Sequence, residues 1–217
     1  MSSFTYIEVS IDGGVGIIEL NRPKQLNALN RSMVKEIVTA MEQFDGNDEA
    51  SVILITGKGH SFSVGADIDE MADNSPMQLE LLNQFADWDR ISLIKKPILG
   101  AVKGFVFGGG FELALSCDVL VAASGTQFSF PEVNLGVMPG AGGTQRLTKI
   151  VGRAKALEWI WTGERIQAET ALAYGMINRI VSEELIMEES LKFAKKLAKQ
   201  PPLALRLIKD SINKAVD

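Results

Sequence analysis

The chain has 217 residues, of which 46% are hydrophobic and 23% are charged, and this make-up is typical of one globular domain with a substantial core. Its formal net charge of −5 and its lack of clustered Lys and Arg argue against nucleic acid or an anionic membrane as a partner. The first residues contain no secretory or organellar targeting pattern, so a cytoplasmic location is expected. The lone cysteine, Cys117, excludes an intrachain disulfide.

The first sixty residues predict a hairpin, a helix and a buried strand. Residues 6–20 indicate a β-hairpin, because two strand-like segments flank a turn that contains two glycines. Asn30 is a suitable N-cap for the helix that follows, in which apolar residues recur at helical spacing from Met33 to Phe44. The continuous apolar run at 52–56 predicts a strand buried on both faces.

Strands and helices continue to alternate in the middle of the chain. A loop of small residues, 61–67, leads to a helix predicted over 76–95, and apolar runs predict strands at 97–102 and 119–123. This order favours an α/β fold with mostly parallel strands. Helices are expected to dominate after residue 153, and the predicted ones cover 154–162, 168–174, 183–199 and a segment after Pro202.

Two glutamates each lie beside a stretch of chain whose backbone is left exposed by small side chains. Glu112 follows the glycine triplet 108–110 at the head of an apolar, helix-forming stretch, and Glu132 lies between Pro131 and Val133. Unshielded N–H groups at a helix start favour a developing anion, as in an oxyanion hole. A carboxylate in apolar company must be paired, hydrogen-bonded or protonated. The pattern suggests an acid and a base that face one substrate, while solvated charges and simple close-packing glycines are the alternatives.

Several other chemistries find no support in the sequence. There is no Gly-x-Ser-x-Gly segment, and the single histidine, His60, would have to serve any nucleophilic dyad alone. The glycine-rich runs match neither a P-loop nor a dinucleotide-binding fingerprint. No residues have metal-ligand spacing, so no metal site is predicted.

A set of short segments in one order resembles the crotonase superfamily and, within it, the enoyl-CoA hydratases. The segments are LNRPK (20–24) with LNAL (26–29), FSVGADI (62–68), GGGFELA (108–114), PEVNLG (131–136) and PGAGGTQRL (139–147). The resemblance implies a spiral of ββα units with two roughly perpendicular sheets, followed by a helical region. It implies one domain over 1–217, with the spiral core at 1–150 and helices at 151–217.

The same resemblance implies a coenzyme A thioester as the substrate. The backbone N–H groups of Ala66 and Gly109 would bind the thioester oxygen, and Glu112 and Glu132 would transfer protons; the residues alone leave open which is acid and which is base. Lys24 would meet a phosphate of coenzyme A or remain a solvated turn residue. The substrate-binding set implied by the resemblance is Lys24, Gln25, Leu26, Ala66, Asp67, Ile68 and Gly140.

Because both carboxylates are present, the resemblance favours a hydro-lyase that adds water to a trans-2-enoyl-CoA and needs no cofactor beyond the coenzyme A of its substrate. A double-bond isomerase, a decarboxylase, a thioester hydrolase and a catalytically silent subunit are the alternatives. A homotrimer or a hexamer built as a dimer of trimers is expected. Hydratases of the family continue past the position of Asp217, which suggests a truncated end. Bulky Phe111 and Met138 suggest a short acyl pocket.

Overall fold

Two β-sheets organise the computed structural model, which describes residues 4–67, 70 and 86–216. The strands in these residues are β1 (Ile7–Asp12), β2 (Val15–Leu20), β3 (Val52–Gly57), β4 (Ile98–Val102), β5 (Phe105–Phe107), β6 (Val119–Ala123), β7 (Gln127–Ser129), β8 (Ile166–Gln167) and β9 (Arg179–Val181). The larger sheet has the order β1-β2-β3-β4-β6-β9, and only its β1–β2 pair is antiparallel. The smaller sheet has the order β5-β7-β8.

Helices connect the strands and form most of the last third of the chain. The α-helices in the described residues are α1 (Arg31–Gly46), α2 (Ala86–Ile91), α3 (Gly109–Leu115), α4 (Gly143–Val151), α5 (Arg153–Thr162), α6 (Ala168–Ala173), α7 (Ile186–Ala198) and α8 (Pro202–Val216). Short 3-10 helices lie at Pro23–Gln25, Pro131–Leu135 and Glu183–Leu185. Within the described ranges, none of these helices combines the length and apolarity required to cross a bilayer.

The sequence patterns of the first half explain its structure well. The hairpin is confirmed, with Gly13 and Gly14 at φ 58° and 83°, because a tight turn between right-twisted strands needs left-handed backbone. The Asn30 side chain caps α1 by accepting the Met33 N–H at 2.8 Å, as predicted. Strand β3 is buried along its whole length, as its unbroken apolar run predicts for a parallel strand covered on both faces.

The core consists of two apolar clusters on the two faces of the larger sheet. Ile53 and Ile55 of β3 pack with α1 in the larger cluster. Their neighbours along the strand, Val52 and Leu54, belong to the second cluster with residues of α7. This alternation follows from the period of two in a strand. The sheet is therefore held between helices, and the loops after its strands are free to form a site.

The helix predicted over 76–95 is wrong at its C-terminal end, because α2 stops at Ile91. The Asp45 carboxylate accepts the N–H groups of Lys95 at 3.1 Å and Lys96 at 2.9 Å, and Pro97 disfavours helical backbone in the residue before it. Residues 76–85 of that prediction lie outside the described part. Helix α4 and the short strands β5, β7, β8 and β9 were not predicted from the sequence.

Candidate active site

The loops after β3, β5 and β7 converge on Glu112 and Glu132. Gly108 joins β5 to α3 with φ 51°, and its N–H donates to the Ser129 carbonyl at 2.9 Å. A β-carbon added at Gly108 would lie only 2.9 Å from Oε1 of Glu132, so a bare backbone is needed where the two segments meet. The predicted carboxylate pair is therefore brought to one place, although twenty residues separate its members in the sequence.

Glu112 is held in a fixed orientation inside the protein. Its side chain lies on α3 and the residue is 3% exposed. Its Oε1 accepts the N–H of Ala141 at 2.7 Å and the N–H of Gly143, the first residue of α4, at 2.8 Å. Burial raises the pKa of the Glu112 carboxyl above its ordinary value of 4.5, while these hydrogen bonds and the charge of Arg146 oppose that rise.

Glu132 occupies a different environment, although it lies close to Glu112. It belongs to the 3-10 helix Pro131–Leu135, and its buried Oε2 has no hydrogen-bond partner among the described residues. Burial raises the pKa of Glu132 to about 7; the residue's own backbone N–H opposes this rise, and the negative charge of Glu112 adds to it. Near neutral pH this carboxyl therefore holds its proton far more readily than a solvated glutamate.

The two N–H groups predicted to bind an oxyanion are neighbours. A β-carbon built on Gly109, the first residue of α3, would lie 3.7 Å from the Ala66 nitrogen. In the part of the chain that the structure describes, neither N–H donates a hydrogen bond. Gly65, at φ 94°, allows this close approach, since a β-carbon there would lie 2.8 Å from the Phe107 carbonyl oxygen. The arrangement can stabilise negative charge on an oxygen placed between the two groups.

Of the other predicted binding residues, some are exposed to solvent and one is already in an ion pair. Lys24, Gln25 and Leu26 are exposed, and the Leu26 carbonyl accepts the Val64 N–H at 3.2 Å, which places this turn against the loop of Ala66. The Asp67 carboxylate is already paired with Arg22 at 2.9 Å and both side chains are largely buried. This ion pair fixes the start of the turn.

Three further predictions concern the rim of the site. Gly140 is exposed beside Ala141, which donates to Glu112. Ile68 lies outside the described residues. Phe111 does not border the site as expected: it is fully buried and its ring stacks on that of Phe130 at 4.5 Å, so it belongs to the core.

Two kinds of residue in the site were not predicted from the sequence. Ala141 and Gly143 hold Glu112 through backbone N–H groups, which no side-chain pattern reveals; the only signal in the sequence is the small-residue turn at 140–143. Arg22 belongs to the LNRPK segment, and its ion pair with Asp67 was not predicted. Among the described residues, no group of three or more His, Cys, Asp or Glu side chains is arranged to hold a metal.

Comparison with known proteins agrees with this geometry. Residues 10–217 match the sequence model of the family described as enoyl-CoA hydratase/isomerase. A probable enoyl-CoA hydratase of Mycobacterium tuberculosis is 39% identical over 215 residues, which cover 99% of this chain and 84% of the relative. A short-chain-enoyl-CoA hydratase of Clostridium acetobutylicum is 38% identical over 208 residues, covering 94% and 80%. The crystal structure of an enoyl-CoA hydratase subunit I from Geobacillus kaustophilus superposes with a TM-score of 0.98 at 61% identity, covering 100% of this chain and 84% of that one.

Proposed function

Since the chain belongs to the enoyl-CoA hydratase/isomerase family, we propose that it adds water across the 2,3-double bond of a trans-2-enoyl-CoA to give a 3-hydroxyacyl-CoA. The predicted superfamily and the α/β crotonase fold are confirmed by the family match and by the structural likeness. The observation that carries the proposed reaction is the contrast between Glu112 and Glu132, two nearby carboxyls that the surrounding protein treats differently.

In the proposed mechanism Glu112 is the general base. The two N–H groups from Ala141 and Gly143 favour its ionised form and occupy one of its oxygens. The second oxygen is then available to accept a proton from water as the water oxygen bonds to the β-carbon. Among the described residues, the ionised form of Glu132 is stabilised by its own backbone N–H, and its Oε2 has no partner, so we assign the single proton shared by the pair to Glu132.

Glu132 then acts as the general acid. As the water oxygen bonds to the β-carbon, the electrons of the double bond move towards the thioester and negative charge develops on its oxygen. We place that oxygen between the N–H groups of Ala66 and Gly109, which would supply the stabilisation of an oxyanion hole. The enolate collapses as the α-carbon takes the proton of Glu132. Water supplies the hydroxyl group and the carboxyls supply and accept the protons, so the reaction balances without a metal or redox cofactor.

Binding of the coenzyme A portion is assigned to the turn that carries Lys24, Gln25 and Leu26, to the backbone around Ala66, and to Gly140. The turn's position against the loop of Ala66 supports this assignment. Because Asp67 is paired with Arg22, we assign it a supporting role for this turn.

We further propose assembly into trimers or hexamers. Large apolar side chains at Leu135, Val137, Met138 and Trp161 are each more than half exposed, and such surface is commonly covered by another subunit. Sedimentation is the measurement that checks this, and a clean monomer would contradict it.

The experiment that tests the function follows the loss of the conjugated thioester absorbance of crotonyl-CoA. The parent protein should consume crotonyl-CoA, and Glu112→Gln and Glu132→Gln should each lower kcat by about a hundredfold or more, because general acid–base catalysis contributes that much. Exposed Glu184 provides the matched control, and Glu184→Gln should keep full activity. Full activity in Glu112→Gln would exclude this hydration mechanism. An inactive parent that still binds coenzyme A would favour another acyl-CoA reaction or a silent subunit.

A further inference from the structure

Asn27 is a buried asparagine whose hydrogen bonds the proposed mechanism does not use. It is 0% exposed and adopts left-handed backbone with φ 56°, which asparagine tolerates better than most residues. Its Oδ1 accepts the N–H of Arg22 at 2.9 Å. Its Nδ2 donates to the carbonyls of Lys58 and Ser61, both at 2.9 Å. One side chain therefore joins the turn that begins at Arg22 to the loop that follows β3.

The backbone beside Asn27 extends this connection to the proposed oxyanion hole. The Asn27 carbonyl accepts the hydroxyl of Ser63 at 2.8 Å, and the same hydroxyl oxygen accepts the Gly65 N–H at 3.2 Å. Two residues further along, Leu29 donates to the Gly65 carbonyl at 2.7 Å and accepts from Asp67 at 3.0 Å. The residues on both sides of Ala66 are thus bonded to this segment, so its position determines where the Ala66 N–H points.

We propose that Asn27 is a positioning residue that sets the direction of the Ala66 N–H towards the thioester oxygen, acting through Ser63 and Gly65. The inference rests on the proposed function. Because Asn27 is fully buried, it does not touch the substrate, and its effect is on geometry. A misdirected N–H weakens stabilisation of the developing enolate more than it weakens binding of the substrate. A change at Asn27 should therefore lower kcat more than it changes KM.

Two substitutions isolate this role. Asn27→Gly keeps left-handed backbone accessible but removes the amide, and Ser63→Ala removes the hydroxyl that connects Asn27 to Gly65. Thr126→Val is the matched control, because Thr126 is also 0% exposed and its hydroxyl donates to the Ala123 carbonyl at 2.6 Å, outside this network. Urea unfolding and circular dichroism identify the conditions in which every variant is folded.

The measurements are kcat and KM with crotonyl-CoA, together with the absorbance of a bound aryl-acryloyl-CoA, whose band moves to longer wavelength when its carbonyl is polarised. Asn27→Gly and Ser63→Ala should lower kcat by roughly ten- to a hundredfold with KM changed by less than about threefold, as expected when a donor is misplaced by about an ångström. Both should reduce the band shift. The Thr126 variant should keep the kcat and band shift of the parent, even if its unfolding midpoint falls.

The inference is overturned if folded Asn27→Gly keeps the kcat and band shift of the parent, or if Thr126→Val loses as much kcat at equal stability. A parent that polarises the aryl-acryloyl-CoA but does not hydrate crotonyl-CoA would refute the proposed function alone, and the band shift of the variants would still decide the role of Asn27. A parent that neither hydrates crotonyl-CoA nor causes a band shift would overturn both.

Discussion

Replacing Glu132 by glutamine should stabilise the protein above neutral pH while removing its activity. The pKa of Glu132 is about 7 in the folded protein against an ordinary value of 4.5, chiefly because of burial. Between these values the unfolded chain releases the proton and the folded protein keeps it. The stability that this carboxyl contributes is therefore fully present below about pH 4.5 and is lost as the pH rises through about 7.

The size of the effect follows from the two pKa values. The pKa shift from 4.5 to about 7 sets an upper bound of about 3.4 kcal/mol on the change in unfolding free energy, since a difference of one in pKa corresponds to about 1.36 kcal/mol. Glu132 is only partly buried, so solvent screening reduces the expected gain to about 1–2 kcal/mol. Glutamine has nearly the same shape and stays neutral at every pH, so the variant avoids the loss.

Urea unfolding at one protein concentration measures the free energy of unfolding of the parent and of Glu132→Gln. The two proteins should differ little near about pH 4.5 and by about 1–2 kcal/mol near about pH 8, with the variant more stable. Glu184→Gln, at an exposed position, should show no such difference. If parent and Glu132→Gln have the same pH dependence of stability, Glu132 is solvated or paired and the assignment of a raised pKa is refuted.

Three further outcomes are expected. For both hydration and the reverse reaction, kcat/KM should have the same pH profile and should fall above about pH 7. Each direction needs one proton on the carboxylate pair, and the reaction consumes none. A profile that stays flat to about pH 9 would contradict this. In Gly143→Ala the new β-carbon would lie 2.6 Å from the Phe130 ring and 2.9 Å from Oε1 of Glu112. This variant should lose about 1–3 kcal/mol of unfolding free energy in urea and should have a lower kcat. Gly46→Ala is the control and should change neither, because a β-carbon at Gly46 would have no neighbour within 4 Å. Lys24→Ala should raise KM with kcat unchanged, by an amount that shrinks at high ionic strength; an unchanged KM would leave the lysine a solvated turn residue.

Long apolar runs predicted their elements because burial alone stabilises them. Strands β3, β4 and β6 follow directly from such runs, and helix α1 follows from the helical spacing of its apolar residues and from the Asn30 cap. The strands β5, β7, β8 and β9 contain two or three residues each, which is too short for a period to be visible. They exist because a neighbouring strand supplies hydrogen bonds, as β7 does for β5 from Phe105 opposite Gln127 to Phe107 opposite Ser129.

The sequence by itself determined the family, the fold class and the set of residues predicted to do chemistry, because these depend on residue types in a fixed order. Only the tertiary structure decided the hydrogen-bond partners of each carboxyl. The N–H groups of Ala141 and Gly143 hold Glu112, while the buried Oε2 of Glu132 has no partner in the described chain. It also placed Asn27 between two distant segments. Every residue except proline carries a backbone N–H. Which acceptor that N–H binds depends on how distant segments pack, so the residue types alone do not indicate it.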